Sequence, residues 1–341
     1  MQTPSWTLQD VQALRHADQK RRERAHALFG RVLESPVRKA LSTASTLIGD
    51  QVYAPSLRGV SRFMNRYQTT AFADYTLQSG DIICSAYFKA GTNWVMHICY
   101  QLAQLGEGEF DHIQDVIAWP DAAEPRYWRH VADRSACPSR TGYHVVKSHL
   151  PANLIPLKND AKFVIVTRDP LDCAASGYHY FAKLFLGPQT PPPDVWLDFF
   201  ASRQAICGPW QDFTASWWQE RHRKNVLFLR FEDMKSDPQK TIRDIADFLG
   251  LSPSEAQFKQ IEKRTDFKAM RDINHKFYPV RQNMWGAGDG KIIRKGAVGD
   301  GGRLFSQAAI DRFRQTIATD LRAANSDFPF YDLLTPQETA D

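Results

Sequence analysis

The sequence predicts an α/β protein with a central, mainly parallel sheet flanked by helices and preceded by a helical N-terminal extension. Short apolar runs rich in β-branched or aromatic residues begin after Asp81 and alternate with helical stretches. Residues 1–70 instead space their apolar and basic positions as a helix does. We therefore expect residues 1–70 to pack on the core, residues 71–335 to form the α/β domain, and residues 336–341 to be a disordered tail.

The N-terminal extension mixes basic and apolar side chains at helical spacing. Its basic residues are concentrated between Arg15 and Arg24, and its apolar ones between Leu14 and Leu33. The simplest interpretation is a helix that packs on the core and keeps its charges in solvent. A helix that lies on a membrane surface or binds a partner is the alternative, because a basic amphipathic face suits both roles.

Four short apolar runs predict the strands, and their composition favours central positions in the sheet. These runs are residues 82–87, 143–146, 163–167 and 226–231. Helices are expected after the first and third strands, over about residues 92–105 and 171–185. Apolar residues at helical spacing predict two more helices, around residues 242–249, where Gly250 supplies a stop signal, and 310–321.

Two segments have the composition of loops. Residues 187–193 hold four prolines, and residues 278–302 hold seven glycines with little apolar periodicity. A long glycine-rich loop is unusual inside a compact domain unless it covers or completes a binding site. We therefore expect the second loop to be functional.

The amino-acid composition and the net charge limit the possible classes of function. Hydrophobic residues make up 43% and charged residues 24%, as in ordinary globular proteins. A net charge of +5 favours anionic ligands, but no zinc-finger spacing or basic stripe interleaved with aromatic residues indicates a nucleic-acid partner. The five cysteines have no metal-ligand or redox spacing, so they are expected to be reduced and mostly buried. With no signal pattern and no transmembrane segment, the expected location is cytoplasmic.

The turn after the first predicted strand has the chemistry of a phosphate-binding loop. Gly91 permits a close backbone approach, and the helix that begins there offers unpaired N–H groups at its positive end. Lys89 adds a mobile cation. The lysine precedes the glycine, so the segment is not the G-x-x-x-x-G-K-[ST] pattern of ordinary ATP or GTP loops.

Polar side chains also stand at the ends of two later strands. Lys147 and His149 are two residues apart and face the same side if the chain remains extended. Arg168 ends the third strand, and Ser176 follows in the next predicted helix. The carboxyl edge of an open α/β sheet is where ligands bind, and Arg and Ser are good phosphate partners.

Four motifs resemble those of the cytosolic-type sulfotransferases that use 3′-phosphoadenosine 5′-phosphosulfate (PAPS). Residues 87–94 resemble the 5′-phosphosulfate loop Tyr-Pro-Lys-Ser/Ala-Gly-Thr-Thr/Asn-Trp, with Phe88 in the proline's place. Residues 147–151 resemble the family's Lys-Thr/Ser-His-Leu-Pro, and residues 168–176 keep the spacing of its 3′-phosphate motif. Residues 294–301 resemble Arg-Lys-Gly-x-x-Gly-Asp-Trp, with glycine in the tryptophan's place. The motifs follow the family's order.

This resemblance implies the P-loop nucleotide-kinase-like sulfotransferase fold for residues 71–335. It also implies PAPS as sulfuryl donor, adenosine 3′,5′-bisphosphate (PAP) as product, and no metal. By the same resemblance His149 is the catalytic base, while Lys89, Lys147 and Ser176 assist the transfer. The implied donor-binding residues are Lys89, Ala90, Gly91, Thr92, Asn93, Trp94, Arg168, Ser176, Phe231, Thr265, Phe267, Arg294, Lys295 and Gly296.

Some positions depart from the family's pattern. Phe231 stands where tyrosine is usual, so any hydroxyl contact to the nucleotide there is lost. Asp266 is unusual between the expected adenine contacts Thr265 and Phe267. The family's dimerisation signature is not recognisable over residues 302–311, so a homodimer would need a non-standard interface.

The acceptor is left open by the sequence. A base beside an aromatic cleft fits a small-molecule phenol, alcohol or amine, as well as a lipid or a natural-product intermediate. The aromatic candidates for the pocket are Phe63, Tyr67, Phe88, Trp119, Tyr180, Phe181 and Trp285. Two other functions remain as alternatives: a nucleotide-dependent phosphotransferase, and a catalytically silent nucleotide-binding scaffold.

Overall fold

A four-stranded parallel sheet forms the centre of the protein. The computed structural model describes residues 7–134, 137–157, 160–180, 186–277, 292–294 and 296–330. The strands are β1 (Asp81–Ala86), β2 (His144–Ser148), β3 (Lys162–Thr167) and β4 (Val226–Arg230), in the order β2-β1-β3-β4. Every neighbouring pair in this sheet is parallel, which confirms the predicted class.

Helices lie before the sheet, between its strands and after it. They are α1 (Leu8–Ala25), α2 (Arg31–Ile48), α3 (Ala54–Asn65), α4 (Thr92–Ala103), α5 (Ile113–Val116), α6 (Pro170–Gly177), α7 (Pro193–Ala201), α8 (Trp210–Gln219), α9 (Phe231–Ser236), α10 (Pro238–Leu249), α11 (Glu255–Thr265), α12 (Phe267–Asp272) and α13 (Gln307–Ala323). The helix predicted over 171–185 corresponds to α6, and its predicted end lies outside the described residues. Most of the glycine-rich loop, residues 278–291 and 295, also lies outside them.

The sheet separates two hydrophobic cores because successive side chains of a strand point to opposite faces. Ile83 and Phe163 belong to one core, where they meet the large aromatic side chains of α7 and α8. Ile82 and Val164 belong to the other core, formed with α4, α10 and α11. Because both faces of the sheet are covered, the strands are continuous runs of mostly apolar residues.

The helical N-terminal extension is confirmed, and it contacts the rest of the chain at several places. In α1, Arg15 forms an ion pair with Asp115, and Gln12 Nε2 donates a hydrogen bond to the same carboxylate over 3.1 Å. At the end of α3, Asn65 Oδ1 accepts the N–H of Cys207 at 2.8 Å. Both contacts lie beside the cavity described below.

All five cysteines are buried as free thiols. Among the described residues, no helix combines the length and apolar character that a membrane crossing requires.

Two leucines on helix surfaces provide a matched test of this packing. Leu249 of α10 is 3% exposed in the core that holds α4 and α11, whereas Leu47 of α2 is 76% exposed. We expect Leu249→Ala to lower the free energy of unfolding by about 2–5 kcal/mol, because it leaves a cavity. Leu47→Ala should change it by less than about 0.5 kcal/mol. Urea denaturation measures both, and equal losses would contradict the assigned core.

Candidate active site

One cavity of about 420 Å³ lies at the carboxyl edge of the sheet. Residues that follow each of the four strands contribute to its wall: Lys89 after β1, His149 after β2, Arg168 after β3 and Phe231 after β4. This is the edge at which open α/β sheets bind ligands.

The cavity gathers nearly all of the described residues that the sequence singled out. Those in its wall are Phe63, Phe88, Lys89, Gly91, Thr92, Asn93, Trp94, Trp119, Lys147, His149, Arg168, Ser176, Tyr180, Phe231, Thr265, Phe267, Arg294 and Gly296. Ala90 is buried but does not line the cavity, and Tyr67 is exposed elsewhere. Lys295, Phe181 and Trp285 lie outside the described residues.

The loop after β1 is held open by its backbone conformation and its neighbours. Lys89 and Gly91 have positive φ angles of 68° and 101°. A Cβ atom on Gly91 would lie 2.7 Å from Cδ2 of Phe231, so only glycine fits there. The turn leads into α4, whose first N–H groups have no partner within the helix. The loop can therefore receive an anion at the helix N-terminus.

Arg168 joins several parts of the wall. Its Nη1 donates to the carbonyl of Lys89 at 3.3 Å, and its Nη2 donates to Asp172 Oδ2 at 3.0 Å and to the carbonyl of Ala297 at 2.7 Å. The guanidinium carbon lies 4.4 Å from the centre of the Phe231 ring. The Nε atom is buried without a hydrogen-bond partner in the described part of the chain. One donor of this buried arginine is therefore left for a ligand.

Asp172 fixes the described end of the glycine-rich loop. Its carboxylate accepts the N–H groups of Gly299 at 3.0 Å and Gly301 at 2.8 Å. A Cβ on Gly301 would lie 2.7 Å from the backbone carbon of Leu171. This close approach explains the glycine at the family's tryptophan position, since a larger side chain would push the loop away. Arg294 of the same loop pairs with Asp300.

The far end of the cavity is aromatic. Trp94 Nε1 donates to the carbonyl of Thr265 at 3.0 Å, and its ring lies 5.9 Å from that of Phe231. The Thr265 hydroxyl donates a hydrogen bond to the backbone carbonyl of Ile261 at 2.9 Å. Asp266 caps α12 by accepting the N–H groups at its start, so this unusual residue has a structural role.

His149 is oriented by the backbone. Its Nδ1 lies 2.7 Å from the carbonyl of Ala86, which requires the proton on Nδ1 and leaves Nε2 as the acceptor in the neutral ring. The ring meets Trp119 edge to face at 5.6 Å. Burial and then the positive charge of Lys147 lower the pKa of His149 to about 3. The imidazole is therefore neutral at physiological pH.

Two lysines line the same cavity, and both have lowered pKa values. Burial and the neighbouring Arg168 and Lys147 lower the pKa of Lys89 to about 7, and its Nζ lies 4.1 Å from the Tyr180 ring centre. Burial lowers the pKa of Lys147 to about 8, and its Nζ lies 3.3 Å from the Trp119 ring centre. Because burial and neighbouring cations disfavour the ammonium forms, an anionic ligand would raise the pKa of each lysine.

Asp121 was missed by the sequence analysis. Its Oδ2 accepts the backbone N–H of His149 at 2.8 Å, and its charge supports the protonated form of Lys147. Burial raises the pKa of Asp121 to about 6. It lies in an irregular segment between α5 and β2, where no periodicity signals a site. Wall residues of the cavity that the sequence analysis did not single out include Glu124, Tyr127 and Trp128 of the same segment, Arg22 and Met64 of the N-terminal helices, and Cys207.

Comparison with known proteins identifies the class. The profile of the Sulfotransferase domain matches residues 79–325, and the chain belongs to this family. It is 28% identical over 263 residues to Sulfotransferase 1C2 of Homo sapiens, covering 73% of this chain and 85% of that protein. It is also 28% identical over 259 residues to Sulfotransferase 1A1 of Canis lupus familiaris, covering 75% and 88%.

Two solved structures share the fold. Mouse sulfotransferase SULT7A1 complexed with PAP matches with a TM-score of 0.61 and 22% identity, covering 80% of this chain and 93% of that one. Retinol dehydratase in complex with androsterone and inactive cofactor PAP matches with a TM-score of 0.59 and 20% identity, covering 78% and 87%. The predicted sulfotransferase fold is confirmed.

The lowered pKa of Lys89 can be measured directly. With ¹³C-methylated lysines, we expect one resonance to titrate near pH 7, because burial and adjacent cations disfavour its protonation. Lys147→Met should raise this pKa, since it removes one of those cations. Lys259→Met, on the exposed surface of α11, should leave it unchanged. An ordinary lysine titration for Lys89 in the native protein would contradict the electrostatics described here.

Proposed function

We propose that this sulfotransferase takes its sulfuryl group from PAPS, transfers it to a hydroxyl or amine of a small molecule, and releases PAP. The observation that carries the proposal is the single cavity that joins Lys89 and the α4 N-terminus to the separate cations Arg168 and Arg294. Two anion sites in one cavity suit a nucleotide with phosphate groups at both ends. The PAP complexes of two proteins of the same fold support this choice of ligand.

Each end of the nucleotide has a candidate set of partners. The N–H groups of residues 91–93 and the Lys89 ammonium would bind the 5′-phosphosulfate. Arg168, through its unpartnered Nε, would bind the 3′-phosphate together with Ser176 and Arg294. The aromatic end beside Trp94 would hold the adenine.

The transfer itself would be an in-line displacement at sulfur. His149 Nε2 takes the acceptor's proton while the acceptor atom forms its bond to sulfur. The bond from sulfur to the bridging phosphate oxygen breaks, and its electron pair stays on that oxygen. Lys89 would stabilise this developing negative charge, and Lys147 would neutralise the sulfuryl oxygens. Holding the acceptor and the donor in line would contribute further to the rate enhancement.

The shifted pKa values suit this division of roles. Bound donor adds negative charge beside Lys89, which raises its pKa and favours the ammonium form needed at the leaving oxygen. The same charge raises the pKa of His149 from about 3 towards the range where a base works at neutral pH. Binding of the donor thus prepares both groups for the transfer.

The acceptor would lie in the half of the cavity beyond His149. Its wall there is largely aromatic, with Phe63, Trp119 and Trp128 among its members. The centres of the two indole rings lie 5.9 Å apart, with an interplanar angle of 30°. Such a wall favours a flat or apolar phenol, alcohol or amine.

The phosphotransferase alternative gains no support from the carboxylates of the Arg168 turn. Asp169 caps α6 by accepting the N–H groups of Leu171 and Asp172. Asp172 is occupied by Arg168 and by the loop amides described above. Neither carboxylate is placed to hold the magnesium ion that such an enzyme requires.

The choice of donor is tested by ligand-dependent stability. PAP should raise the melting temperature far more than AMP or ATP at equal concentration, because only PAP fills both anion sites. At 100 times its dissociation constant, the expected stabilisation is about 2.7 kcal/mol. Thermal-shift measurements with the three nucleotides suffice. Equal shifts for all three, or a preference for ATP with magnesium, would exclude the proposal.

The role of His149 is tested by mutation. His149→Ala should lower kcat by roughly 10²–10⁴, the usual contribution of a general base, and leave PAP binding nearly unchanged. His222→Ala, an exposed histidine outside the cavity, serves as the control and should retain full activity. Steady-state kinetics with an active acceptor, together with PAP titration, separate the two effects. A near-normal rate for His149→Ala would refute its assignment as the base.

A further inference from the structure

The exposed apolar side chains are concentrated in the N-terminal helices. Among the described residues, the large hydrophobic side chains that remain exposed there are Leu28, Phe29, Val32, Leu33, Leu47, Ile48, Phe63 and Tyr67. Only Val298 is exposed in the same way in the rest of the described chain. Scattered exposed apolar residues are normal in proteins, but a cluster of this kind marks an interaction surface.

The apolar residues of α2 extend beyond the side of the helix that packs on the core. Leu41 packs against the core, while Val32 and Leu47 are exposed near opposite ends of the helix. Leu28 and Phe29 are also exposed, in the π-helical segment His26–Gly30 that connects α1 to α2. We call Leu28, Phe29, Val32 and Leu33 the N-terminal apolar patch. A helix that needed only to pack on the core would present polar residues at these positions.

The positive charge of the protein lies in the same region. Residues 1–70 contain eleven Lys or Arg and five Asp or Glu, a net charge of +6, although the whole chain has only +5. The remaining 271 residues thus have a net charge of −1. The exposed cations nearest the patch in sequence are Lys20, Arg21, Arg24, Arg38 and Lys39. The patch is therefore apolar and lies in a part of the sequence where basic residues outnumber acidic ones.

We propose that α1 and α2 form a docking surface for an anionic lipid bilayer. The N-terminal apolar patch would enter the boundary between headgroups and acyl chains, as amphipathic helices with a basic polar face do. Lys20, Arg24 and Lys39 would lie near the anionic headgroups. A second copy of the chain is a poorer occupant, because two surfaces of like charge repel each other.

The docking surface shares helix α1 with the wall of the cavity. Arg22 of α1 lines the cavity, and Leu28 follows it by six residues, about 9 Å along a helix. Phe63, which also lines the cavity, is one of the exposed apolar side chains. Docking would therefore bring the acceptor end of the cavity to the lipid surface. The docking itself does not depend on the proposed donor or chemistry.

The test is co-sedimentation of the full chain with lipid vesicles. We expect binding to vesicles of phosphatidylcholine and phosphatidylglycerol at a ratio of about 7:3, and little binding to phosphatidylcholine alone. Raising the salt from about 0.1 to 1 M should weaken binding, because it shortens the Debye length from about 10 to 3 Å. Leu28→Gln with Phe29→Gln should reduce the partition coefficient by about 10-fold or more.

Matched variants keep the test decisive. Lys20→Glu with Arg24→Glu should also reduce the partition coefficient by about 10-fold or more, whereas Lys259→Glu on the exposed face of α11 should leave it unchanged. Unchanged PAP-free melting temperatures show that the variants fold. Equal binding to neutral and anionic vesicles, or no loss in the glutamine variant, would overturn the proposal. So would a native dimer that ignores vesicles and becomes a monomer in the glutamine variant, as measured by light scattering.

Discussion

Four segments of the chain meet at the guanidinium of Arg168. Its hydrogen bonds reach the turn after β1 at Lys89, the first turn of α6 at Asp172, and the glycine-rich loop at Ala297, while its face covers Phe231 after β4. The Arg168 side chain is 9% exposed, so water has little access to these contacts. Breaking a buried charged pair of this kind costs about 3–5 kcal/mol. The contacts of Arg168 therefore help to position the residues of both anion sites.

The same crowding of cations explains the electrostatics of the free cavity. Lys89, Lys147 and Arg168 share a space that burial keeps poorly hydrated, and the pKa values of both lysines fall accordingly. A site of this kind is strained without a ligand, because its positive charges face one another. An anionic donor would relieve that repulsion, and the relief would contribute to binding. Asp121 moderates the repulsion at Lys147 only.

The sequence could predict the parts of this site that depend on local order. A loop between a buried strand and a helix, or an arginine at a strand end, is visible from neighbouring residues, and so Lys89 and Arg168 were found. Asp121, Tyr127 and Trp128 were not, because they belong to an irregular segment whose position beside the site depends on tertiary packing. The glycine at 301 could be seen as a departure, but its cause, the close backbone of Leu171, is a long-range contact.

The central claim is that two separate groups of cations bind opposite ends of one nucleotide. A crystal structure with PAP tests it most directly. The account predicts the 5′-phosphate at the N–H groups of residues 91–93 and the 3′-phosphate within hydrogen-bonding distance of Arg168 Nε, with His149 Nε2 facing the space beyond the 5′-phosphate. A nucleotide bound in the reverse direction, or one that contacts only one of the two groups, would contradict it.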